Sequence, residues 1–397
     1  MLIPPIQAGL SLALCLAFSA GSKAQDFVNF ESPSIHPISI ATDGTRLFAV
    51  NTPDNRLTIY SVTQQGSPIL LREVFVGLEP VSVRPRTKDE VWVVNYLSDS
   101  VSVVDINKGV VTATLRVVDE PADVVFAAGK AFVSAAGSDA ICVFDATTHQ
   151  DLGRVDLLGD EPRNLVASPD GKTVWAVVHR SGNETTILEK EKAPPQPPPT
   201  NTSLPTPPQV GLIIDSEDPA WINDHDVDLP DYDLIEIDTT NLAVRSSYSA
   251  VGTLNFGAAL RPGTEEVWVA NTEARNKVRY VTALRGHAFD NRVTRVNTGA
   301  NANVTSFDLN PGIDYSLLPN PAALSSSLAK PVALAWDASG SNLYVAAFGT
   351  DRVGVIDSNG IVQSFVEVGD ASGTKVGPAP KSTGPAQSIS GRLRASV

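Results

Sequence analysis

The chain has 397 residues and a formal net charge of −14, which argues against binding to a nucleic-acid backbone, because such binding needs a basic face. Hydrophobic residues make up 42% of the chain, which excludes wholesale disorder. The 28 glycines, the 29 prolines and a charged fraction of only 19% favour a turn-rich β protein over a helical one.

The first 24 residues predict a cleaved secretory signal peptide. Residues 8–20 form an apolar run that is too short to span a bilayer, and small residues lead to a cleavage point after Ala24 or Ala20. A buried N-terminal helix is the alternative. No later run is long and apolar enough for a membrane span, so we expect a secreted or periplasmic protein.

Cleavage would leave Cys142 as the single cysteine of the mature chain, which excludes an intrachain disulfide. The chain has no Cys-x-x-Cys-His motif, so no covalent c-type haem is expected within it. Cys142 lies in an apolar strand pattern, residues 140–145. We therefore predict a core residue rather than a reactive thiol.

From residue 36 onward, the chain repeats a unit of about 41 residues, and a period of this length is typical of propellers and solenoids. Each of the first four units opens on a residue followed by proline: His36-Pro37, Glu79-Pro80, Glu120-Pro121 and Glu161-Pro162. A turn follows, then an aromatic-valine run such as residues 91–95, then a third run such as residues 101–105. The pattern returns near residues 267–271 and 330–357.

Four short strands per unit predict a blade of a β-propeller. We predict an all-β propeller over residues 25–370, with six complete blades plus a partial seventh. Residues 371–397 are either that partial blade or a linker tail, and residues 26–30 are a candidate closing strand.

The sequence Val-Trp-Val-Val-Asn-Tyr-Leu-Ser-Asp-Ser-Val-Ser-Val-Val-Asp at 91–105 resembles the repeat of the YVTN, or YncE-like, propeller family. Asn271 and residues 343–357 match it more loosely. The resemblance covers nearly all of the mature chain and implies a fold rather than an activity. Relatives of this architecture include surface-layer proteins, the haem d1 domain of nitrite reductase and propeller lactonases, and some are joined to a c-type cytochrome domain.

Three insertions interrupt the repeat: about 189–231 in blade four, about 273–291 in blade five, and about 311–329 between blades five and six. Loops at these points emerge on one face of a propeller, so we expect them around one mouth of the central channel. The proline-rich stretch 194–208 is either an exposed spacer or a docking segment. The second insertion is basic, with Arg275, Arg279 and Arg285 as candidate partner-binding residues, and its alternative role is to pair with the acidic first insertion.

The first insertion carries Asp224, Asp226, Asp228 and Asp231, a spacing that resembles the start of a calcium loop and makes Ca²⁺ the one cofactor worth testing. Leu229 and Ile235 stand where a helix–loop–helix calcium site would need Gly and Glu. A solvated acidic loop is therefore the alternative.

The residues that open the blades are expected near the channel mouth. Glu79, Glu120 and Glu161, aligned with His36, Asn255 and Lys330, would together attract a cation or a basic partner. The alternative is a solvated strand entry, because proline keeps its predecessor out of helical geometry. His179 and Arg180 are weak candidates for proton transfer at the same mouth, and a structural or partner-contact role is their alternative.

These observations predict a binding or scaffold module that takes a protein or small ligand at its insertion-bearing face. The first alternative is a metal-dependent, lactonase-like hydrolase. The second is the propeller portion of a redox protein whose c-type haem domain or partner lies outside this chain.

Overall fold

The computed structural model describes residues 33–62, 67–195, 201–206, 208–227, 229–275, 287–317 and 319–368. The predicted signal peptide, the candidate strand 26–30 and the segment 371–397 lie outside these ranges, and so do the predictions made for them.

The first three repeats form three separate four-stranded antiparallel sheets, each in the order of the sequence. Their strands are β1 (Ile38–Ile40), β2 (Arg46–Asn51), β3 (Arg56–Ser61), β4 (Ile69–Phe75), β5 (Pro80–Pro85), β6 (Glu90–Asn95), β7 (Ser100–Asp105), β8 (Val110–Arg116), β9 (Pro121–Ala127), β10 (Lys130–Ala135), β11 (Ala140–Asp145) and β12 (Asp151–Asp156). Short turns join them, because Asp105 and Asp145 each accept backbone N–H groups two and three residues on and so close the turn locally.

The last three repeats are built the same way but carry the insertions. Their strands are β13 (Asp160–Ala167), β14 (Thr173–Arg180), β15 (Thr185–Leu188), β16 (Leu212–Asp215), β17 (Leu234–Asp238), β18 (Val244–Tyr248), β19 (Leu254–Leu260), β20 (Glu266–Ala274), β21 (Phe289–Asn297), β22 (Asn303–Asp308), β23 (Pro331–Trp336), β24 (Asn342–Ala347), β25 (Arg352–Asp357) and β26 (Val362–Glu367). Strands β13, β14, β17 and β18 form blade four, β19–β22 form blade five, and β23–β26 form blade six. Blades four and five are joined into one eight-stranded sheet, because Arg180 of β14 pairs with Leu254 of β19. A one-turn helix, Pro321–Leu324, lies in the third insertion.

The insertion in blade four contains a hairpin that sequence analysis did not predict. Strands β15 and β16 pair only with each other, and they enclose a small core of Leu188, Leu212 and Ile214 with Trp221 packed against it. Short apolar runs on both sides of the proline-rich stretch, Ile187-Leu188 and Leu212-Ile213-Ile214, were the signal for it.

The blades are held together by apolar layers between adjacent sheets. The aromatic residue at the centre of the second strand packs on the following blade, as Trp92 does against Val124 and Val133 of blade three. Burying a side chain of this size removes a large apolar area from water. These layers confirm the predicted β-propeller, and they also confirm Cys142 as a buried thiol of β11, whose pKa burial raises.

The same hydrogen bond links successive blades at several places in the molecule. An Asn or Asp near the start of a third strand accepts the backbone N–H of the residue that opens the next blade. Four pairs form this bond at 2.7–3.1 Å: Asn55 with Glu79, Asp99 with Glu120, Asp139 with Glu161, and Asn291 with Lys330. The four opening residues have φ between 50° and 58°, which is unfavourable for residues other than glycine, so the bond helps to offset that strain. We call it the blade latch.

The strand register corrects one sequence alignment. Asn255 pairs with Asn271 as Pro80 pairs with Asn95. Asn255 therefore occupies the position of the proline and not that of the glutamate, and it is a fully buried strand residue rather than a residue of the mouth.

Within the described part of the chain, no helix has both the length and the hydropathy needed to cross a lipid bilayer.

Candidate functional site at the channel mouth

The bases of the three insertions meet at the same end of the blades, as predicted. In blades four and five, Asn183 donates from Nδ2 to Glu273 Oε1 at 3.1 Å. Between blades five and six, Asn291 accepts the backbone N–H of Lys330. The side-chain amide of Asn310 donates to the carbonyl of Leu328 and accepts its N–H. These contacts place the described bases of the three insertions on one face, which we call the insertion face.

Glu161 is held between two arginines of its own blade. Its carboxylate lies 2.5 Å from Nη2 of Arg163 and 2.8 Å from Nη2 of Arg180. The side chain of Glu161 is 14% exposed, so its charge is largely neutralised before any ligand arrives. Arg163 stands where Val81 and Ala122 lie in the preceding blades, which makes it a charge specific to blade four.

Glu120 has a different partner. The hydroxyl of Tyr96, in the preceding blade, donates to its Oε2 at 2.6 Å. Burial raises the pKa of Tyr96 above its ordinary value, and the hydrogen bond to Glu120 acts in the same direction. The backbone N–H groups of Glu79 and Glu120 are taken by the blade latch. The glutamates that were candidates for a cation site are thus integrated into blade-to-blade contacts, and their role in binding a partner stays a prediction.

His179 forms a structural contact that fixes its tautomer. Its Nδ1 lies 2.7 Å from the carbonyl oxygen of Asn255, so Nδ1 carries the hydrogen and Nε2 keeps its lone pair. Burial, followed by the charge of Arg163, lowers the pKa of His179. Thr52 makes the equivalent contact in blade one, since its hydroxyl donates to the carbonyl of Pro80. The shared geometry indicates a link between blades, and the neutral Nε2 is the group that remains for chemistry.

Deeper along the channel, polar side chains link the innermost strands. Asp123 has no exposed surface. Its carboxylate accepts hydrogen bonds from Nε and Nη2 of Arg84, in the preceding blade, at 3.2 and 2.8 Å. It also accepts the backbone N–H of Leu165 in the following blade at 3.2 Å. One carboxylate therefore holds three blades together, and sequence analysis missed it because its partners are distant in the chain.

The candidate calcium ligands do not all point to one place. Asp231 accepts the hydroxyl of Ser181 at 2.6 Å and the N–H of Ala250 at 3.0 Å, which ties it to the base of the insertion. Asp224 is half-buried, Asp226 is exposed, and Asp228 lies outside the described ranges. Among the residues that the structure describes, no group of three or more His, Cys, Asp or Glu side chains is arranged to hold a metal ion, and the calcium site stays a prediction.

The basic insertion of blade five pairs internally where it is described. Arg275 and His287 both contact the carboxylate of Asp290, at 3.2 and 2.5 Å, and the ring of His287 stacks on Tyr315 of the third insertion. Arg279 and Arg285 lie outside the described residues. Arg275 thus pairs within its own insertion rather than with the acidic one.

Comparisons with known proteins bear on the fold. No protein-family model matches the chain, and no curated protein matches it. Among solved structures, the chain is similar to hydrazine synthase from Kuenenia stuttgartiensis, with 21% identity and a TM-score of 0.62 over 85% of this chain and 80% of that one. It is also similar to a Bacteroides uniformis protein with a provisional 6-phosphogluconolactonase assignment (13% identity, TM-score 0.55, 83% and 84% covered). A third is a Desulfotomaculum acetoxidans protein of unknown function (11% identity, TM-score 0.55, 84% and 86% covered).

At these identities the likeness concerns the fold alone. Similar structures therefore support the β-propeller, whereas the resemblance to the YVTN family stays a prediction from the repeat. The chain is a β-propeller protein.

Proposed function

We propose that this protein is a secreted or periplasmic binding module that takes a positively charged protein partner on its insertion face. The observation that carries the proposal is the charge of the blade-four insertion. Between Arg180 and Asp233 the described carboxylates are Glu184, Glu189, Glu191, Asp215, Glu217, Asp218, Asp224, Asp226 and Asp231, against Lys190 and Lys192 as the cations. A concentrated single-sign field attracts a partner of opposite charge and accelerates its association.

An apolar pair provides a centre for such a contact. Ile187 and Ile213 face each other across the β15–β16 hairpin and are 61% and 62% exposed. They lie on the opposite side of the hairpin from its small core, and Asp215, paired with Thr185, is in the next pair on that same side. Protein interfaces combine an apolar centre with a polar rim, so a basic segment with apolar side chains would satisfy both features.

The proposal is tested with a basic c-type cytochrome as the probe, in a titration followed by calorimetry at low and at physiological ionic strength. The test variant neutralises three exposed carboxylates of the insertion: Glu189→Gln, Glu217→Gln and Asp226→Asn. Its matched control removes the same charge from turns at the opposite end of the blades: Asp43→Asn, Asp89→Asn and Asp170→Asn.

We expect wild type and the control to bind the probe, and the test variant to bind about tenfold more weakly at low salt, because screening and charge loss act on the same interaction. Adding Ile213→Ser to wild type should weaken binding without changing its salt dependence. Equal losses in the test and control variants would mean that the net charge, and not this face, attracts the probe, and the proposal would be wrong.

The hydrolase alternative is supported by one feature, the free Nε2 of His179 beside Arg163 and Glu161, which is suited to accepting a proton. It is tested by following hydrolysis of a δ-lactone with added Ca²⁺ and after EDTA. Turnover that is lost in EDTA and in His179→Gln would favour the enzyme over the binding module.

A further inference from the structure

In the earlier blades, one face of each sheet packs against the following blade. In blade six no sheet among the described residues covers that face. Tyr344 stands at the centre of its second strand, paired with Val355 as Trp92 is paired with Val103. The aromatic side chain at this position is buried in the earlier blades, at 0% for Trp92, for example, whereas Tyr344 is 41% exposed. Exposing one aromatic out of six equivalent ones forfeits the area that stabilises the other layers.

The face of blade one that borders the same gap is incompletely covered at its innermost strand. Ile38 pairs with Ala49 as Val83 pairs with Val93, yet Ile38 is 46% exposed and Val83 is fully buried. The apolar cluster on this face consists of Leu47, Ala49 and Tyr60, which are 6–9% exposed, with Val62 packed against them. All four belong to blade one, so no other described blade contributes to this cluster, unlike the clusters between blades. Each innermost strand contacts that of the next blade from β1 through to β23, but β23 makes no comparable contact with β1.

An unfilled blade latch borders the same gap. Asp351 directly precedes the third strand of blade six and has φ of 53°, as Asp99 and Asp139 have 49° and 46° in their blades. Its carbonyl accepts the N–H of Val368, as the carbonyl of Asp99 accepts that of Val117. In blades two and three the aspartate side chain then accepts the N–H that opens the next blade. The carboxylate of Asp351 has no hydrogen-bond partner among the described residues.

We propose that the gap between blades six and one is a seventh blade position, and that this chain's own residues occupy it: segment 369–397, completed by residues 26–32. The latch sets the register. Glu79 and Glu120 follow Val76 and Val117 by three residues, so the N–H predicted to bond Asp351 is that of Ala371, three residues after Val368. The Val-Gly that begins this stretch at 368–369 repeats the Val-Gly at 76–77.

The positions where the described chain borders the gap, and the length of chain beyond them, favour this occupant over a second copy or another protein. The described chain leaves blade six at Val368 on one side of the gap and enters β1 from Pro33 on the other. A blade such as β5–β8 spans residues 80–116, and residues 371–397 together with 26–32 provide a similar length. Filling the position from within the chain costs less entropy than recruiting a separate molecule.

The first experiment measures the proposed latch by disulfide formation in the full chain, in a Cys15→Ser, Cys142→Ala background. The test pair is Asp351→Cys with Ala371→Cys, and the matched control is Asp99→Cys with Glu120→Cys, which makes the same contact in blade two. A disulfide forms where two Cα atoms lie about 4.4–6.8 Å apart, and the control pair establishes whether the latch brings its two residues to that spacing.

We expect both pairs to oxidise within one molecule, detected by mass loss and by the absence of covalent dimers. Linkage of the control pair but not of the test pair would overturn the proposal. Covalent dimers of the test pair would also overturn it, because the occupant would then be a second copy.

A second measurement does not depend on the cysteines. Tyr344→Ser should lower the melting temperature by about as much as Phe132→Ser, which empties the equivalent position in blade three, whereas Leu158→Ser, at a 77% exposed site, should leave it unchanged. If Tyr344→Ser behaves like Leu158→Ser, the gap is empty and the proposal is wrong.

Discussion

Asp233 is a buried carboxyl group whose protonation should make the stability of this protein depend on pH. It is 1% exposed and lies at the base of the acidic insertion, where it accepts the N–H of Val251 at 2.7 Å and Nδ2 of Asn255 at 3.0 Å. Burial, followed by the charge of Asp231, raises the pKa of Asp233 to about 7. The folded state therefore holds a proton on Asp233 at pH values where the unfolded chain does not.

The sign and size of the effect follow from proton linkage. With an unfolded pKa of 3.8, the unfolded chain binds fewer protons than the folded state between about pH 4 and pH 7, so the free energy of unfolding falls as pH rises. Each pH unit in that window is worth about 1.4 kcal/mol. From pH 5 to pH 8 the contribution of Asp233 is a loss of about 3 kcal/mol.

Another buried group acts in the opposite direction. Burial, followed by the charge of Arg84, lowers the pKa of His36 to about 4. Its unfolded pKa is 6.5, so the folded state binds fewer protons there and loses stability as pH falls below about 6.5. The wild-type pH profile sums both effects, and a variant is needed to separate them.

The assay is urea unfolding at pH 5 and pH 8 for wild type and Asp233→Asn, which keeps an oxygen for the N–H of Val251. The difference between the two pH values should change by about 3 kcal/mol in favour of pH 8 when Asp233 is replaced. Asp231→Asn provides the matched control, because removing the neighbouring charge should move the titration of Asp233 to lower pH without abolishing it. An unchanged pH dependence in Asp233→Asn would refute the reasoning.

Two further predictions concern buried groups outside the insertion. Asp123→Ala removes a fully buried carboxylate and leaves Arg84 without its carboxylate partner, so we expect the unfolding free energy to fall by about 3–5 kcal/mol. Urea unfolding measures this loss, with Asp119→Ala, at an exposed aspartate of the same blade boundary, as the control. A loss below about 1 kcal/mol would contradict the assigned role of Asp123. Cys142 is 7% exposed with a raised pKa, so a thiol reagent should modify it far more slowly in the native protein than in urea, and equal rates would show that β11 is open to solvent.

The organisation of the fold could be read from the amino-acid sequence. Strand alternation, turn residues and a regular period are local properties, so each blade predicts its own four strands wherever it stands. The aromatic residue of each second strand, from Phe48 to Tyr344, marked the centre of a blade. The insertions were visible for the same reason, because they interrupt the period, although the hairpin within the first of them was missed.

What surrounds each polar side chain was decided by the tertiary structure alone. The glutamates that open the blades look alike in sequence, yet Glu120 meets Tyr96 and Glu161 meets Arg163 and Arg180. Asp123 is buried because strands of three blades converge on it, and Asn255 lies one position away from its expected place because the strand register is set by pairing with β20. Charge, burial and hydrogen bonding at the channel depend on contacts between blades about 40 residues apart, and such contacts exist only once the sheets have packed together.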